Sequence, residues 1–192
     1  MKILKINSSI QTAKSVGRKL VDQIVSRLAN NESKIIERDL AMGLPLLTQD
    51  MVNAFYTPED ERTDAQKEEL SLSNLLIKEI EDSEIIVMGI PIYNFSIPAS
   101  VKAYFDLIAR VGVTFKYTNM GPVGLFENKK VYVVITSGGT AFMGDGDFAS
   151  GYIKYFLGFI GITDVNFISA DQLVANSEVQ LENAKKQIAE LV

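Results

Sequence analysis

The sequence contains no cysteine and no histidine. Without cysteine, disulfide bonds, thiolate metal sites and thiol catalysis are all excluded. Without histidine, the chain lacks the usual general base near neutral pH, the usual zinc ligand and every catalytic triad that depends on imidazole. Its chemistry must therefore use hydroxyls, carboxylates, backbone amides or a bound cofactor, and we predict no metal site.

Long apolar runs and clusters of positive charge are also missing. The longest apolar runs fall far short of the about 20 residues that a membrane helix needs, and the N-terminus has no signal-peptide apolar core. The formal net charge is −5 and no dense run of Lys and Arg occurs, which argues against nucleic acid as the main partner. We therefore expect a cytoplasmic protein that binds a small molecule, with neither a membrane nor nucleic acid as partner.

Composition and length indicate one folded domain. Hydrophobic residues make up 47% and charged residues 22% of the chain, which is close to the average of soluble globular proteins and allows a packed core. Because single cores commonly extend to about 200 residues before a chain splits, the length of 192 residues predicts one domain over 1–192.

Strand-like and helix-like segments alternate along the chain. Segments rich in apolar and β-branched residues predict strands over 2–7, 33–40, 84–90, 129–139 and 164–173. Apolar residues at steps of three and four predict helices over 15–31, 63–83, 99–110, 147–161 and 177–192. Ser15 is a candidate N-cap, and Thr63 with Gln66 resembles a capping box. Residues 41–61 are predicted to be irregular, and 112–125 an excursion with turn signals.

This order of elements predicts the fold class. Five alternations of strand and helix indicate a parallel sheet with helices on both faces and right-handed crossovers. Chain length and strand number favour a flavodoxin-like, doubly wound α/β fold with a five-stranded sheet in the order 2-1-3-4-5. In such a sheet the ligand lies beyond the carboxyl ends of the strands, near the point where the strand order reverses. Three loops should meet there: 8–17, 91–98 and 136–144.

The first of these loops is rich in hydroxyl groups, from Ser8, Ser9, Thr12 and Ser15. It opens a helix, whose free N–H groups and positive dipole end suit a phosphate. No lysine of the P-loop pattern Gly-x-x-x-x-Gly-Lys is present, which argues against hydrolysis of nucleoside triphosphates. Serine and threonine before a helix are also ordinary caps, so this loop alone leaves both interpretations open.

The other two loops each have a ligand-binding and a purely structural interpretation. Tyr93, Asn94 and Phe95 are consecutive, so they cannot all point into the core, and the amide of Asn94 could bind a flat ring with polar edges. The alternative is a turn that completes the core. Gly138 and Gly139 directly follow a strand, where missing side chains let backbone N–H groups approach a ligand. The alternative there is a mobile loop.

Segments spread over essentially the whole chain resemble the family of FMN-dependent NADH-azoreductases, also described as FMN-dependent NADH:quinone oxidoreductases. They are "SSI" at 8–10, "RDL" at 38–40, "YNF" at 93–95, "YFDLIARVGVTFKYT" at 104–118 and "FLGFIGITDVNF" at 156–167. Segments of this length are far more specific than a short pattern such as paired glycines.

The resemblance implies a homodimer of flavodoxin-like subunits, each with one tightly bound FMN near the dimer interface. It assigns the FMN phosphate to Ser9, Ser15, Val16 and Gly17. It places the isoalloxazine ring along Ile92, Tyr93, Asn94 and Phe95, with the pyrimidine side on Ser137, Gly138, Gly139 and Thr140. It also matches two residues to positions that help to wall the substrate space in this family, Tyr117 and Phe159.

The resemblance further implies a two-electron, ping-pong reaction. NADH passes a hydride to the flavin N5 and leaves, after which a quinone or an aromatic azo compound takes its place and receives two electrons. Backbone N–H groups of Gly138 and Gly139 are suited to stabilise the negative charge of the reduced flavin, so no histidine is required. No side chain is assigned as a catalytic residue.

Two departures from the family pattern concern the FMN site. Many members have a serine at the position of Gly17 and an arginine at that of Gly138, so one hydroxyl and one cation are missing here. Two other functions compete with the reductase: a flavodoxin-like carrier of single electrons, and a regulatory or structural member without ligand. A carrier needs a strongly acidic docking face, whereas the net charge of this chain is modest, which favours the enzyme.

Overall fold

The computed structural model describes residues 1–191 and has a five-stranded parallel sheet at its centre. The strands are β1 (Lys2–Asn7), β2 (Lys34–Asp39), β3 (Ile85–Pro91), β6 (Lys130–Thr136) and β7 (Asp164–Ala170). Their order is β2-β1-β3-β6-β7. This confirms the predicted order 2-1-3-4-5, because β4 (Phe115–Thr118) and β5 (Gly121–Gly124) form a separate antiparallel hairpin.

The register brings the carboxyl ends of four strands to one edge of the sheet. Pro91 is opposite Thr136, which is in turn opposite Ala170, and Asn7 pairs with Gly89. The strand order reverses between β1 and β3, so the loops after β1, β3 and β6 leave the sheet at the position where open α/β sheets bind ligands.

Helices cover both faces of the sheet, as predicted. They are α1 (Val16–Leu28), α2 (Gln49–Tyr56), α3 (Asp64–Glu69), α4 (Ser71–Asp82), α5 (Ala99–Ile108), α6 (Ser150–Phe159) and α7 (Leu173–Ala189). Successive strand residues point to opposite faces. Ile86 and Met88 therefore pack in one core with α4, α5 and α6, whereas Val87 packs in a second core with α1 and α7.

Residues 41–61, predicted to be irregular, contain helix α2, so this prediction was wrong. Thr48 is the N-cap, and its hydroxyl oxygen accepts a hydrogen bond from the N–H of Met51 at 3.2 Å. Met51 and Ala54 are the buried residues of this helix, so its apolar repeat is too short to stand out in the sequence. The capping box of Thr63 and Gln66, by contrast, is present.

Other boundaries also differ from the prediction. The helix predicted over 63–83 is divided into α3 and α4 at Leu70, whose side chain is fully buried. Helix α7 begins before the predicted start at Ser177, but its backbone is non-helical at Asn176. The excursion over 112–125 contains the β4–β5 hairpin. No helix within residues 1–191 is both long and apolar enough to span a bilayer.

Candidate functional site

A cavity of about 210 Å³ opens at the carboxyl edge of the sheet, between the loops that follow β1, β3 and β6. We name it the first cavity. Its lining consists of Ser9, Gln11, Lys14, Ser15, Val16, Gly17, Pro91, Ile92, Tyr93, Thr136, Ser137, Gly138 and Leu173. The structure thus brings eight of the predicted site residues around one cavity, namely Ser9, Ser15, Val16, Gly17, Ile92, Tyr93, Ser137 and Gly138.

Helix α1 begins at this cavity. Ser15 is its N-cap, because its Oγ accepts a hydrogen bond from the N–H of Arg18 at 3.2 Å. The N–H groups of Val16 and Gly17 donate to no backbone carbonyl of the described chain, as expected in a first helical turn. Ser15 therefore acts as a cap and also lines the cavity, and the helix N-terminus is available to an anion.

Arg18 fixes the shape of the loop after β1. Its guanidinium donates to the carbonyl oxygen of Ser9 at 2.7 Å and to both carboxylate oxygens of Asp39, the last residue of β2, at 2.7 and 2.8 Å. The hydrogen bond from Arg18 lowers the pKa of Asp39, burial opposes this shift, and the N–H of Ala41 adds to it. The charge of Arg18 is thus balanced by Asp39.

The loop after β3 makes a tight turn at Asn94 and Phe95. On either side of them, Tyr93 and Ser96 exchange two backbone hydrogen bonds, of 3.0 and 3.1 Å. Both central residues have positive φ, 48° and 72°, as a type I′ turn requires. A phenylalanine in this conformation is strained. Of the three consecutive residues, Tyr93 lines the first cavity, whereas Asn94 and Phe95 are exposed.

Ser137 holds the loop after β6 in place. Its Oγ accepts a hydrogen bond from the N–H of Gln172 at 3.1 Å and donates one to the carbonyl oxygen of Thr140. The N–H groups of Gly138 and Gly139 donate to no backbone carbonyl within residues 1–191. The hydroxyl of Ser137 is therefore engaged in the loop itself, and the two glycine N–H groups are among the donors that this loop can offer to a ligand.

A second cavity of about 410 Å³ is lined by the following part of the same loop. Its lining consists of Phe95, Gly139, Thr140, Ala141, Gly144, Asp145, Gly146 and Gln172. It therefore contains three more of the predicted site residues, Phe95, Gly139 and Thr140. Asn94 lines neither of the two cavities.

Tyr117 and Phe159 also line neither cavity. Both contact Phe115: the ring centroids of Tyr117 and Phe115 are 5.6 Å apart, and those of Phe159 and Phe115 are 4.4 Å apart. The three rings form one aromatic cluster between the β4–β5 hairpin and α6. Tyr117 is 71% exposed, so within one chain this ring faces solvent.

Five residues that line the first cavity were not predicted as site residues: Gln11, Lys14, Pro91, Thr136 and Leu173. Four of them lie in the predicted ligand loops, where only their neighbours were selected. Leu173 was predicted to end the last strand, over 164–173, but it is the first residue of α7, and its signal is its place after another strand that ends at the same edge. Across residues 1–191, no cluster of Asp and Glu is suited to a metal ion.

The chain is similar to known proteins over nearly its full length. The family model Flavodoxin_2, described as a flavodoxin-like fold, matches residues 1–192. A protein of Hahella chejuensis named FMN-dependent NADH:quinone oxidoreductase 1 is 48% identical over 190 residues, which cover 98% of this chain and 93% of the relative. A protein of Jannaschia sp. with the same name is 46% identical over 189 residues, covering 98% and 97%.

Two solved structures are similar at 25% identity. An azoreductase from Bacillus anthracis str. Sterne superposes with a TM-score of 0.85 and covers 98% of this chain and 95% of its own. An FMN-dependent NADH-azoreductase from Bacillus anthracis str. Ames Ancestor, solved in complex with FMN, gives a TM-score of 0.86 and covers 98% and 96%.

Proposed function

The chain belongs to the Flavodoxin_2 family of flavodoxin-like fold, and from this premise we propose that it is an FMN-dependent oxidoreductase that uses NADH to reduce quinones and to cleave aromatic azo compounds. The observation that carries the proposal is the first cavity, where a helix N-terminus, apolar and aromatic side chains and a glycine N–H donor converge. Support comes from the relatives named FMN-dependent NADH:quinone oxidoreductase and from the structural neighbour named FMN-dependent NADH-azoreductase.

The α1 end of the first cavity fits the phosphate of FMN. The N–H groups of Val16 and Gly17 lack backbone acceptors, and the positive end of the helix dipole favours an anion. Ser9 is only 8% exposed. Its hydroxyl contacts other uncharged groups, so it can rotate to donate to a phosphate oxygen. We assign Ser9, Ser15, Val16 and Gly17 to this end.

The remainder of the first cavity fits the ring system. FMN, when bound, supplies hydride and electron transfer, which the side chains of this chain cannot perform. Pro91, Ile92 and Leu173 offer an apolar face, and Gly138 offers its N–H group to the polar edge of the ring, with that of Gly139 following in the lining of the second cavity. With FMN bound, these N–H groups would stabilise negative charge on that edge without a proton from a side chain, in agreement with the absence of histidine.

The proposal includes a homodimer in which two subunits share the substrate site. Tyr117 is exposed and lines neither cavity of its own chain, which supports a role against a ring held by a second subunit. Further large aromatic side chains are exposed, among them Phe95, Phe148 and Tyr155, and such surfaces commonly mark interfaces. Sedimentation velocity at micromolar concentration tests this point, and a monomer would refute the assignment of Tyr117 to a shared site.

Anaerobic mixing tests the activity itself. The purified, FMN-loaded protein is mixed with NADH and then with a quinone, while the absorbance of the oxidised flavin is followed. We expect NADH to bleach this absorbance and the quinone to restore it. If the flavin stays oxidised over minutes with NADH, the chain is not an NADH-dependent reductase. Reduction by a one-electron protein donor would then support the electron-carrier alternative.

A further inference from the structure

Lys14 is the only charged residue among those that line the first cavity. Its side chain is exposed, and it forms no ion pair within residues 1–191. We propose that the ammonium group of Lys14 binds the phosphate monoester of FMN and thereby makes this chain select FMN over flavins that lack a phosphate. This inference rests on the proposed function and assigns one further residue to its cofactor site.

The charges around the start of α1 are the opposite of those that stabilise a free helix. Lys14 directly precedes the N-cap Ser15, Arg18 and Lys19 follow it, and the first turn contains no acidic side chain. Cations beside the positive end of the helix dipole are unfavourable unless an anion is bound there. Such an unfavourable placement of cations at a helix N-terminus indicates a functional site. A bound anion would interact favourably with both the cations and the helix dipole, so the expected ligand is an anion.

The other two cations at this helix end are accounted for. Arg18 is paired with Asp39 and also donates to the carbonyl oxygen of Ser9, so its charge is already balanced. Lys19 does not line the first cavity. Lys14 is therefore the cation that can meet a phosphate at the N–H groups of Val16 and Gly17.

The rest of the cavity gives the phosphate no other countercharge. Gly17 has no side chain, and the hydroxyl of Ser137 is engaged with Thr140 and Gln172. The chain as a whole carries a net charge of −5, which opposes entry of a doubly charged anion. The ammonium group of Lys14 lowers this electrostatic repulsion locally, and added salt weakens its effect.

Titration with two flavins separates a phosphate contact from a structural role. Apoprotein is titrated with FMN and with riboflavin, which has the same ring and no phosphate, at low and at high salt. Lys14→Gln is compared with Lys19→Gln, which removes an equal charge from the same helix end outside the cavity. We expect Lys14→Gln to weaken FMN binding about five-fold at low salt, to leave riboflavin binding unchanged and to reduce the salt dependence of FMN binding. Lys14→Arg should retain most of the FMN affinity.

Three outcomes would overturn the inference. Equal weakening of both flavins by Lys14→Gln would indicate a structural effect on the loop. Equal effects of Lys14→Gln and Lys19→Gln on FMN affinity would indicate a general electrostatic effect of positive charge rather than a direct contact of Lys14 with the phosphate. If the wild-type chain bound no FMN at all, the proposed function and the inference would both fall, whereas either of the first two results leaves the proposed function intact.

Discussion

The hydroxyl of Tyr93 accepts a hydrogen bond from the backbone N–H of Ile10 at 3.2 Å. The same oxygen lies 3.5 Å from the Oγ of Ser9. This contact joins the loop after β3 to the loop after β1 at the first cavity. Since one loop is assigned to the flavin ring and the other to the phosphate, the Tyr93 hydroxyl fixes the spacing between the two parts of the proposed FMN site.

Replacing Tyr93 by phenylalanine keeps the ring and removes this connection. A net hydrogen bond is worth about 1 kcal/mol, so we expect Tyr93→Phe to weaken FMN binding about five-fold. Hydrogen exchange of the Ile10 amide should become faster, because its acceptor is lost. Tyr155→Phe is the control, since Tyr155 is 75% exposed and lines neither cavity. Unchanged FMN affinity and unchanged exchange at Ile10 would show that the contact does not hold the loops together.

The Arg18–Asp39 pair predicts a loss of stability in acid. The pKa of Asp39 in the folded chain lies below its unfolded value of about 3.9. The pair therefore contributes fully above that pH, and the contribution is lost as the pH falls through the lowered folded-state pKa. Asp39→Asn should reduce the free energy of unfolding near pH 7 by about 1 kcal/mol or less, because the carboxylate of Asp39 is more than a third exposed and water screens the pair.

Urea unfolding of wild type and Asp39→Asn at several pH values measures this effect. The difference between the two proteins should shrink between about pH 5 and about pH 3, since protonation removes the charge that the variant lacks already. Asp145→Asn is the control, because Asp145 is exposed and forms no ion pair within the described chain. A difference that stays constant over this range would contradict the assignment.

The sheet and its ligand edge could be predicted because their signals are local and repeated. Each strand is a short apolar run followed by a turn signal, and alternation with helices determines which loops share an edge. Helix α2 could not be found in this way, because its stability depends on two buried side chains, Met51 and Ala54, and on the cap at Thr48. The β4–β5 hairpin appeared only as an excursion, because neither strand joins the main sheet.

Within the site, residue type alone does not show what a hydroxyl does. Ser15 and Ser137 both line the first cavity, yet the Oγ of Ser15 caps α1 and that of Ser137 joins two loops. Their hydrogen bonds depend on positions that the chain reaches only after folding. Leu173 was missed for the same reason, because its approach to the cavity depends on where β7 lies in the sheet.

Replacing either of two glycines near the end of α6 by alanine should change the free energy of unfolding, but in opposite directions. Gly161 has φ of +103°, and an added Cβ would lie 2.4 Å from the carbonyl oxygen of Phe126. Gly161→Ala should therefore lower the free energy of unfolding by about 2 kcal/mol or more. Gly158 is helical, exposed and has no atom within 4 Å of an added Cβ, so Gly158→Ala should raise it by about 0.5–1 kcal/mol.

Thermal and urea unfolding of both variants check this pair, and activity adds a second measurement. The backbone at Gly161 contacts Gly124 of β5, so Gly161→Ala should also displace the hairpin that holds Tyr117. We expect slower quinone reduction with this variant and normal rates with Gly158→Ala. A destabilised Gly158→Ala, or a fully stable Gly161→Ala, would contradict the described packing.

Phe95 is expected to lower stability and to serve activity. Its φ of 72° follows the positive φ of Asn94, and Asn-Gly is the preferred pair for such a turn. Phe95→Gly should therefore raise the free energy of unfolding by about 1 kcal/mol, because relief of backbone strain exceeds the entropic cost of glycine. Since the resemblance places Phe95 along the isoalloxazine ring, loss of its side chain should reduce kcat/KM for a quinone about ten-fold.

Urea unfolding and steady-state kinetics of Phe95→Gly test both parts, with Phe148→Ala as the control. Phe148 is similarly exposed but has no positive φ and lines neither the first nor the second cavity, so its loss should not stabilise the fold. If Phe95→Gly were less stable than wild type, the turn would not be strained. If it were more stable and equally active, Phe95 would not serve the flavin site, and the strain would need another reason. A variant that gains stability and loses activity would show that this turn keeps a costly backbone conformation in order to present an aromatic ring.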